Sequence, residues 1–170
     1  MNFKADILPL KDQLFRLAFR ITLNREDAED IVQETLIRLW RAVQEQEVEN
    51  IQSFGMTVCR NLALDSNEKR ERRNISLDED VHDVVDTQNQ PDRLVESKER
   101  YGMLTSIIDS LPEKQRTAIQ LRDVEGRSYK EIAEIMDISE SDVKVNIFRA
   151  RQRVKEYYMK LGIRATNFLY

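Results

Sequence analysis

Apolar residues in the first third of the chain recur at steps of three and four, which is the spacing of amphipathic helices. One such stripe predicts a first helix and consists of Leu10, Leu14, Leu17, Ala18 and Ile21. A second helix is predicted after Asn24, which suits a helix cap and is followed by acidic residues in the first turn. Its stripe contains Ala28, Ile31, Val32, Thr35, Leu36, Leu39, Trp40 and Val43.

A third helix is predicted over about residues 53–72 and ends in the basic run 69–73. Its inward positions are Met56, Cys59, Leu62 and Ala63. Residues 76–93 show no sustained period and contain Pro91, which predicts a flexible linker. This stretch is acidic, because residues 76–97 carry one basic and seven acidic side chains.

The remainder predicts a second helical unit that contains a helix-turn-helix motif. A helix over about residues 94–109 is followed by one that starts near Pro112, with Ala118, Ile119, Leu121 and Val124 as its apolar positions. Gly126 ends that helix, and Ser128 with Glu131 forms a capping box for a short helix with Ile132, Ala133, Ile135 and Met136 inward. A tight turn and a last helix, capped within residues 139–142 and running to about residue 160, complete the motif.

The last helix is predicted to bury one side and to present basic and apolar groups on the other. The buried stripe on a helical wheel is Val143, Ile147, Ala150, Val154, Tyr157 and Leu161. The opposite side carries Ser141, Val145, Phe148 and Gln152, flanked by Lys144, Arg149, Arg151, Arg153 and Lys155. Lys144 and Arg149 suit guanine edges or phosphates, Phe148 suits thymine methyl groups, and Arg151 and Lys155 suit phosphates. The alternative is a solvated helix that packs only on its own unit.

Composition and the helical patterns together predict an all-α fold of two small domains, at residues 1–75 and 94–170, joined by the flexible acidic linker 76–93. Four Gly and three Pro in 170 residues are too few for the turns of a many-stranded β fold.

The net charge of −4 alone argues against nucleic acid, but residues 51–75 carry +2 and residues 141–170 carry +5. A single Cys and a single His exclude an internal disulfide, a multi-Cys metal site and a His-pair metal site. Without an apolar run of about 18 residues or a signal peptide, a soluble, cytoplasmic protein is expected.

Two stretches of the chain resemble the extracytoplasmic-function (ECF) sigma factors of RNA polymerase, which belong to the sigma-70 family. Residues 14–22 and 24–35, with Arg38-Leu39-Trp40, resemble regions 2.1 and 2.2. Residues 111–116 and 125–136 resemble region 4, and Val143-Lys144 with residues 148–151 fits its recognition helix. The resemblance covers about residues 8–160 in the order and spacing of the family.

The resemblance implies a protein that binds core RNA polymerase, directs it to promoters and helps to melt the start-site DNA. The second helix would dock on the clamp helices of the β′ subunit through Asp30, Gln33, Glu34, Ile37 and Arg41. The −10 element would be read as single-stranded DNA by the loop at about residues 50–54 and by Phe54, Arg60, Asn61, Lys69, Arg70, Arg72 and Arg73. The −35 element would be read by Ser141, Lys144, Val145, Phe148, Arg149, Arg151, Gln152 and Lys155.

The resemblance also implies further partners, although the chain differs from many members of the family at two places. Region 4 would contact the β flap, and an anti-sigma factor would hold the protein inactive; no catalysis, cofactor, metal ion, small-molecule substrate or membrane insertion is implied. Many members have a Trp followed by apolar residues where this chain has Phe54-Gly55-Met56. Val145-Asn146 replaces the more common Ser-Arg of the recognition helix.

Three other functions remain as alternatives at the level of sequence. A helix-turn-helix regulator that acts without polymerase would leave the second helix without a role, and a helical scaffold would bind DNA only feebly. An enzyme would need a Cys59–His82 dyad, whereas the sequence favours Cys59 as a small core residue. We expect two separate compact helical units joined by a flexible acidic tether. For the free protein, the further hypothesis is a closed form with the acidic segment 76–92 near the basic surfaces.

Overall fold

The computed structural model describes residues 1–76 and 95–160, and every regular element in these two ranges is helical. A π-helical turn, Phe3–Ile7, and a 3₁₀ turn, Leu8–Leu10, precede the first long helix. The helices of the first unit are α1 (Lys11–Thr22), α2 (Arg25–Glu45) and α3 (Ile51–Ser76). Those of the second unit are α4 (Val95–Asp109), α5 (Glu113–Ile119), α6 (Tyr129–Met136) and α7 (Glu140–Lys160).

The first unit is a three-helix bundle whose core is formed by the predicted stripes. Helix α1 ends at Leu23, which adopts a left-handed backbone with φ of 55°. The side chain of Asn24 then accepts a hydrogen bond from the backbone N–H of Asp27 at 2.9 Å, which caps α2 as predicted. The predicted inward residues of α1 and the stripe residues of α2 from Ala28 to Leu39 are buried, and Trp40 packs edge-on against Phe3. Met56, Cys59 and Ala63 of α3 complete this core.

The second unit contains the predicted helix-turn-helix, formed by α6 and α7. Ser128 accepts from the backbone N–H of Glu131 at 3.1 Å, and Ser139 accepts from that of Asp142 at 3.0 Å, so both predicted caps are confirmed. Between them, Asp137 ends α6 in the left-handed region with φ of 54°. A π-helical turn, Gln120–Val124, extends α5, and Gly126 then adopts φ of 67°, a conformation that favours glycine.

Two predicted core positions of the second unit are wrong. Tyr158 is buried at 1% exposure against α4 and α5, whereas Tyr157 is 43% exposed. Both tyrosines follow Val154 by three or four residues, and the apolar contacts with Ile107 and Leu111 favour Tyr158. Val124 is exposed because it lies at the end of the π-helical turn, where the register of the preceding α-helix no longer holds.

The two units pack against each other in this arrangement. Helix α1 contacts α5, and α3 contacts α6. One continuous apolar cluster joins the α1–α3 core to residues such as Leu121, Ile132 and Ile135 of the second unit. The predicted linker beyond Ser76, the linker residue His82 and the helix residue Leu161 lie outside the described residues. No helix in residues 1–76 and 95–160 is long and apolar enough to cross a membrane.

Candidate functional site

The outward side of α7 is exposed as predicted. Val145 is 42% exposed and Phe148 is 63% exposed, and Ser141, Lys144, Arg149, Gln152 and Lys155 are also exposed. The Lys144 ammonium group lies 5.5 Å from the ring centroid of Tyr129, and the Arg122 guanidinium lies 4.3 Å from the same centroid. Because Tyr129 begins α6, these cations surround the junction of the two helices of the motif. The site therefore joins exposed apolar side chains to a concentrated positive charge.

Arg151 differs from the other cations of α7 because it is already paired. Its guanidinium donates to both carboxylate oxygens of Asp123, with Nη2–Oδ1 at 2.6 Å and Nε–Oδ2 at 3.4 Å. This hydrogen bond raises the pKa of Arg151, an effect that partial burial opposes. A phosphate contact by Arg151 would therefore compete with Asp123, a partner that helix periodicity did not indicate.

The predicted docking surface on α2 is open to solvent. Asp30, Gln33 and Arg41 are exposed, and Ile37 is 46% exposed. Glu34 is half-buried and accepts a hydrogen bond from Arg38 one turn later, at 2.9 Å. An apolar side chain framed by charged groups, without a covering element of its own unit, is typical of a protein-binding surface.

The docking surface and the basic end of α3 border the same groove. This groove has a volume of about 450 Å³ and is lined from α2 by Asp27, Asp30, Ile31, Glu34 and Arg38. Lys69, Arg70 and Arg73 contribute to its other wall on α3. Arg70 forms an ion pair with Asp27 across the groove. Two residue sets that the sequence assigned to different tasks are thus adjacent, and one member of the basic set is held by a carboxylate of α2.

The predicted −10 residues do not form a uniform surface. Asn61, Lys69, Arg72 and Arg73 are exposed, whereas Phe54 is half-buried and packs against the first core. Asn50 caps α3, accepting from the backbone N–H of Ser53 at 3.0 Å. The stretch at residues 50–54 is therefore mostly the first turn of α3 rather than a loop that precedes it.

Arg60 is not on the exposed side of α3, contrary to the prediction. It is 6% exposed and lies where α6 packs on α3. Its Nη1 donates to the backbone carbonyl of Met136 at 3.3 Å, and its Nη2 lies 3.5 Å from a carboxylate oxygen of Glu113. Its Nε has no hydrogen-bond partner among residues 1–76 and 95–160. A residue expected to contact DNA is here enclosed by protein.

Four other arginines also bridge the two units, and sequence periodicity indicated none of them. Arg16 donates to both carboxylate oxygens of Glu125, at 2.7 and 3.0 Å. Arg20 donates to Gln120 and Asp109, Arg116 to the backbone carbonyl of Ile21, and Arg127 to Gln13 and Gln52. The interface therefore combines an apolar centre with a set of arginine contacts.

Cys59 lies in the first core, as predicted. Its thiol donates to the backbone carbonyl of Leu14 at 3.4 Å, and burial raises the pKa of the thiol to about 12. Such a thiol is protonated near neutral pH and is a poor nucleophile. The proposed dyad partner, His82, lies outside the described residues.

Comparison with known proteins gives the family. Residues 7–73 match the family model for sigma-70 region 2, and residues 101–154 match that for sigma-70 region 4. The ECF RNA polymerase sigma factor SigM of Bacillus subtilis is 30% identical over 148 residues, which cover 86% of this chain and 89% of SigM. The chain is an ECF sigma factor. As a member of this family it acts in promoter-directed transcription initiation with RNA polymerase.

Two further similarities concern length and three-dimensional structure. This sigma factor is 35% identical over 150 residues to the ECF RNA polymerase sigma factor SigE of Mycolicibacterium smegmatis; the match covers 88% of this chain but 58% of SigE. The solved structure of the sigma factor RpoE from Bartonella quintana, in complex with the anti-sigma factor NepR, is similar with a TM-score of 0.71 and 26% identity. That match covers 91% of this sigma factor and 94% of RpoE, so it includes both helical units.

Proposed function

We propose that this chain binds core RNA polymerase through the exposed side of α2 and carries it to promoters whose −35 element is read by α7. The observation that supports this division most directly is the simultaneous exposure of two unlike surfaces. One, around Ile37, is mixed in charge and suits a protein. The other, around Phe148, is apolar with a cationic border and suits a DNA major groove.

In this proposal the residues of α7 divide into base contacts and phosphate contacts. Val145, Phe148 and Arg149 lie in the N-terminal half of α7, the half of a recognition helix that reaches base edges. Lys155 lies nearly two turns beyond Arg149, where a cation contacts the phosphate backbone more readily than a base. Ser141, Lys144 and Gln152 extend the same exposed side.

The −10 element would be read as single-stranded DNA by α3 and its first turn. Asn61, Lys69, Arg72 and Arg73 offer exposed polar or cationic groups for this purpose. Phe54 can stack on an unpaired base only after its ring turns away from the core. Arg60 can take part only after α6 leaves α3, because it is buried in the present arrangement.

An anti-sigma factor is the further partner that we propose, in addition to a contact between the second unit and the β flap. The support is the similarity to Bartonella quintana RpoE, which was solved in complex with the anti-sigma factor NepR. The exposed apolar side chains Ile37, Phe148, Tyr157 and Met159 give a protein partner of this kind several positions to cover.

The test of the proposed function is promoter-dependent transcription by purified components. Core RNA polymerase is incubated with a library of genomic promoter fragments, with and without this protein, and the transcripts are sequenced. We expect a discrete set of start sites that requires the protein. A protein that binds operator duplexes without polymerase would give DNA binding but no new start sites, and that result would reject the proposal.

Two substitutions on α7 are expected to affect DNA binding in different ways. Phe148→Ala should lower discrimination between the cognate −35 duplex and a scrambled duplex by about fivefold, because an apolar base contact is lost. Lys155→Ala should weaken binding to both duplexes alike and reduce the slope of log K against log salt concentration by about 0.9. Fluorescence anisotropy titrations at several salt concentrations measure both quantities. Equal effects of both substitutions on discrimination would contradict the assignment of Phe148 to base contacts and of Lys155 to phosphate contacts.

A further inference from the structure

Two arginines of α7 that lie close together in sequence differ in what they bind. The guanidinium of Arg151 donates from Nη2 and Nε to the two carboxylate oxygens of Asp123, at 2.6 and 3.4 Å. Exposed Arg153, two residues later, forms no ion pair with the residues that the structure describes. Whether an arginine of this helix is paired therefore depends on the placement of one carboxylate.

Asp123 reaches Arg151 because of the element on which it lies. It belongs to the π-helical turn Gln120–Val124, whose wider repeat rotates its last residues out of the register of α5. The turn is anchored by the fully buried Leu121, and α7 packs on α5 through the buried Ala150. The core therefore fixes the approach of the two charged groups, and the ion pair is not needed to hold α7 in place.

The pair is open to exchange with other anions. The side chains of Arg151 and Asp123 are 38% and 39% exposed, so water and solutes reach both partners. A pair exposed to this extent contributes little to folding stability. The planar guanidinium fork matches a phosphate as well as a carboxylate, so a DNA phosphate must compete with Asp123 for the same two N–H donors.

A neighbouring arginine is also engaged by an acceptor of this chain. Arg122 donates from Nη1 to the backbone carbonyl of Arg127 at 2.8 Å, and its guanidinium lies 4.3 Å from the ring centroid of Tyr129. The Lys144 ammonium group lies on the same ring, at 5.5 Å, and has no carboxylate partner within residues 1–76 and 95–160. The cations around the helix-turn-helix are thus not equally available to DNA.

We propose that Asp123 is a positioning residue that holds Arg151 away from the phosphate backbone and thereby limits the affinity of α7 for DNA of any sequence. The inference rests on the proposed function, in which α7 lies on the −35 duplex. A phosphate contact carries no sequence information, so its restraint leaves discrimination to residues such as Phe148 and Arg149. Since non-specific sites greatly outnumber promoters in a genome, this restraint shortens the time that the protein spends on unproductive DNA.

The first arm of the test measures binding of the full-length protein to a fluorescent 20-base-pair duplex of random sequence at several salt concentrations. Asp123→Asn should bind at least about fivefold more tightly than the wild type at about 0.1 M salt. The slope of log K against log salt concentration should become steeper by about 0.9, because one more phosphate is neutralised. Asp123→Glu keeps the carboxylate and should behave like the wild type.

The matched control is Glu134→Gln, which removes the charge of one exposed carboxylate on α6 and should change the affinity by less than about twofold. A double variant tests whether the effect acts through Arg151. Combined with Arg151→Gln, Asp123→Asn should raise neither the affinity nor the slope by more than the control does. A merely structural role of Asp123 would change the helix content or the Tm, which circular dichroism measures, and not the salt slope.

The second arm measures the ion pair itself, without DNA. Phenylglyoxal modifies accessible guanidinium groups, and mass spectrometry of the digested full-length protein gives the rate at each arginine. Asp123→Asn should increase the modification rate of Arg151 at least about threefold, whereas Arg153 serves as the internal reference and should keep its rate. If Asp123→Asn loses helix content, Asp123→Ser takes its place in both arms.

The outcomes separate this inference from the proposed function. Unchanged modification of Arg151 would reject the restraint and leave the reading of the −35 element by α7 untouched. Faster modification with an unchanged salt slope would also reject the inference, since the released guanidinium would then meet no phosphate. An equal gain in affinity with and without Arg151→Gln would assign the effect to direct repulsion between Asp123 and DNA, again against the inference. Absence of duplex binding by every variant would reject the inference together with the proposed function.

Discussion

Replacement of Arg116 by alanine is expected to destabilise the protein by about 3 kcal/mol or more. Arg116 is 9% exposed on α5, and its guanidinium donates to three backbone carbonyls, those of Asp109, Leu111 and Ile21, at 3.0–3.1 Å. Asp109 ends α4 and Ile21 lies in the last turn of α1, where carbonyl groups lack partners within their own helix. The alanine variant loses the cation at both helix ends and leaves the three carbonyls without this donor.

Urea unfolding followed by circular dichroism measures this loss, and for a chain of this size it corresponds to a decrease in Tm of about 6–12 °C. Burial lowers the pKa of Arg116, but the nearby carboxylates of Glu113 and Asp109 oppose this effect, and arginine remains charged in the working pH range. Arg116→Lys keeps the positive charge but lacks the planar guanidinium group. Its free energy of unfolding should therefore lie between those of the wild type and of Arg116→Ala. The matched control is Lys114→Ala on the exposed side of α5, for which a change within about 0.5 kcal/mol is expected. A similarly small change for Arg116→Ala would show that its three hydrogen bonds carry little net stability.

Arg116 also illustrates why helix patterns reveal a core but not every buried residue. The stripes of α1 and α2, the Asn24 cap and the Ser128 capping box could be predicted because they depend on residues within one or two turns of each other. Arg16, Arg20, Arg60 and Arg127 have the same local pattern as solvated arginines. Their partners in the other unit lie between 53 and 114 positions away in sequence, and only the packing of the two units brings them together.

The candidate site shows the same division between local and tertiary information. The exposed side of α7, including Phe148 and Val145, could be predicted from the sequence because the periodicity of a single helix determines it. Which of Tyr157 and Tyr158 is buried could not be predicted from the sequence. Both lie close to the buried stripe on the helical wheel, and the contacts with α4 decide between them. The pairing of Arg151 with Asp123, 28 positions away, likewise depends on the placement of two elements.

The second large effect is expected for the Glu34→Arg substitution on the docking surface of α2. Glu34 lies one turn from Asp30 and next to exposed Ile37, and it borders the groove between α2 and α3. Reversal of its charge places a cation where the proposed surface offers a carboxylate to polymerase, and a like-charge contact across an interface costs several kcal/mol. We therefore expect at least about a thirtyfold loss of affinity for core polymerase, with a corresponding loss of promoter-dependent transcripts at limiting protein.

The matched control for this change is Glu29→Arg on the same helix. Glu29 is exposed and pairs with Arg25 at 3.1 Å, just as Glu34 pairs with Arg38 at 2.9 Å, so both substitutions reverse one charge and break one ion pair within α2. On a wheel of 100° per residue, however, Glu29 lies roughly 100° from Asp30, at the edge of the docking set beside Gln33 and away from the direction that Glu34, Ile37 and Arg41 share. The two variants should have equal helix content and equal Tm. If only Glu34→Arg then binds core polymerase more weakly, the loss is caused by the docking surface itself. Equal affinity of both variants for core polymerase would instead move the docking site off this side of α2.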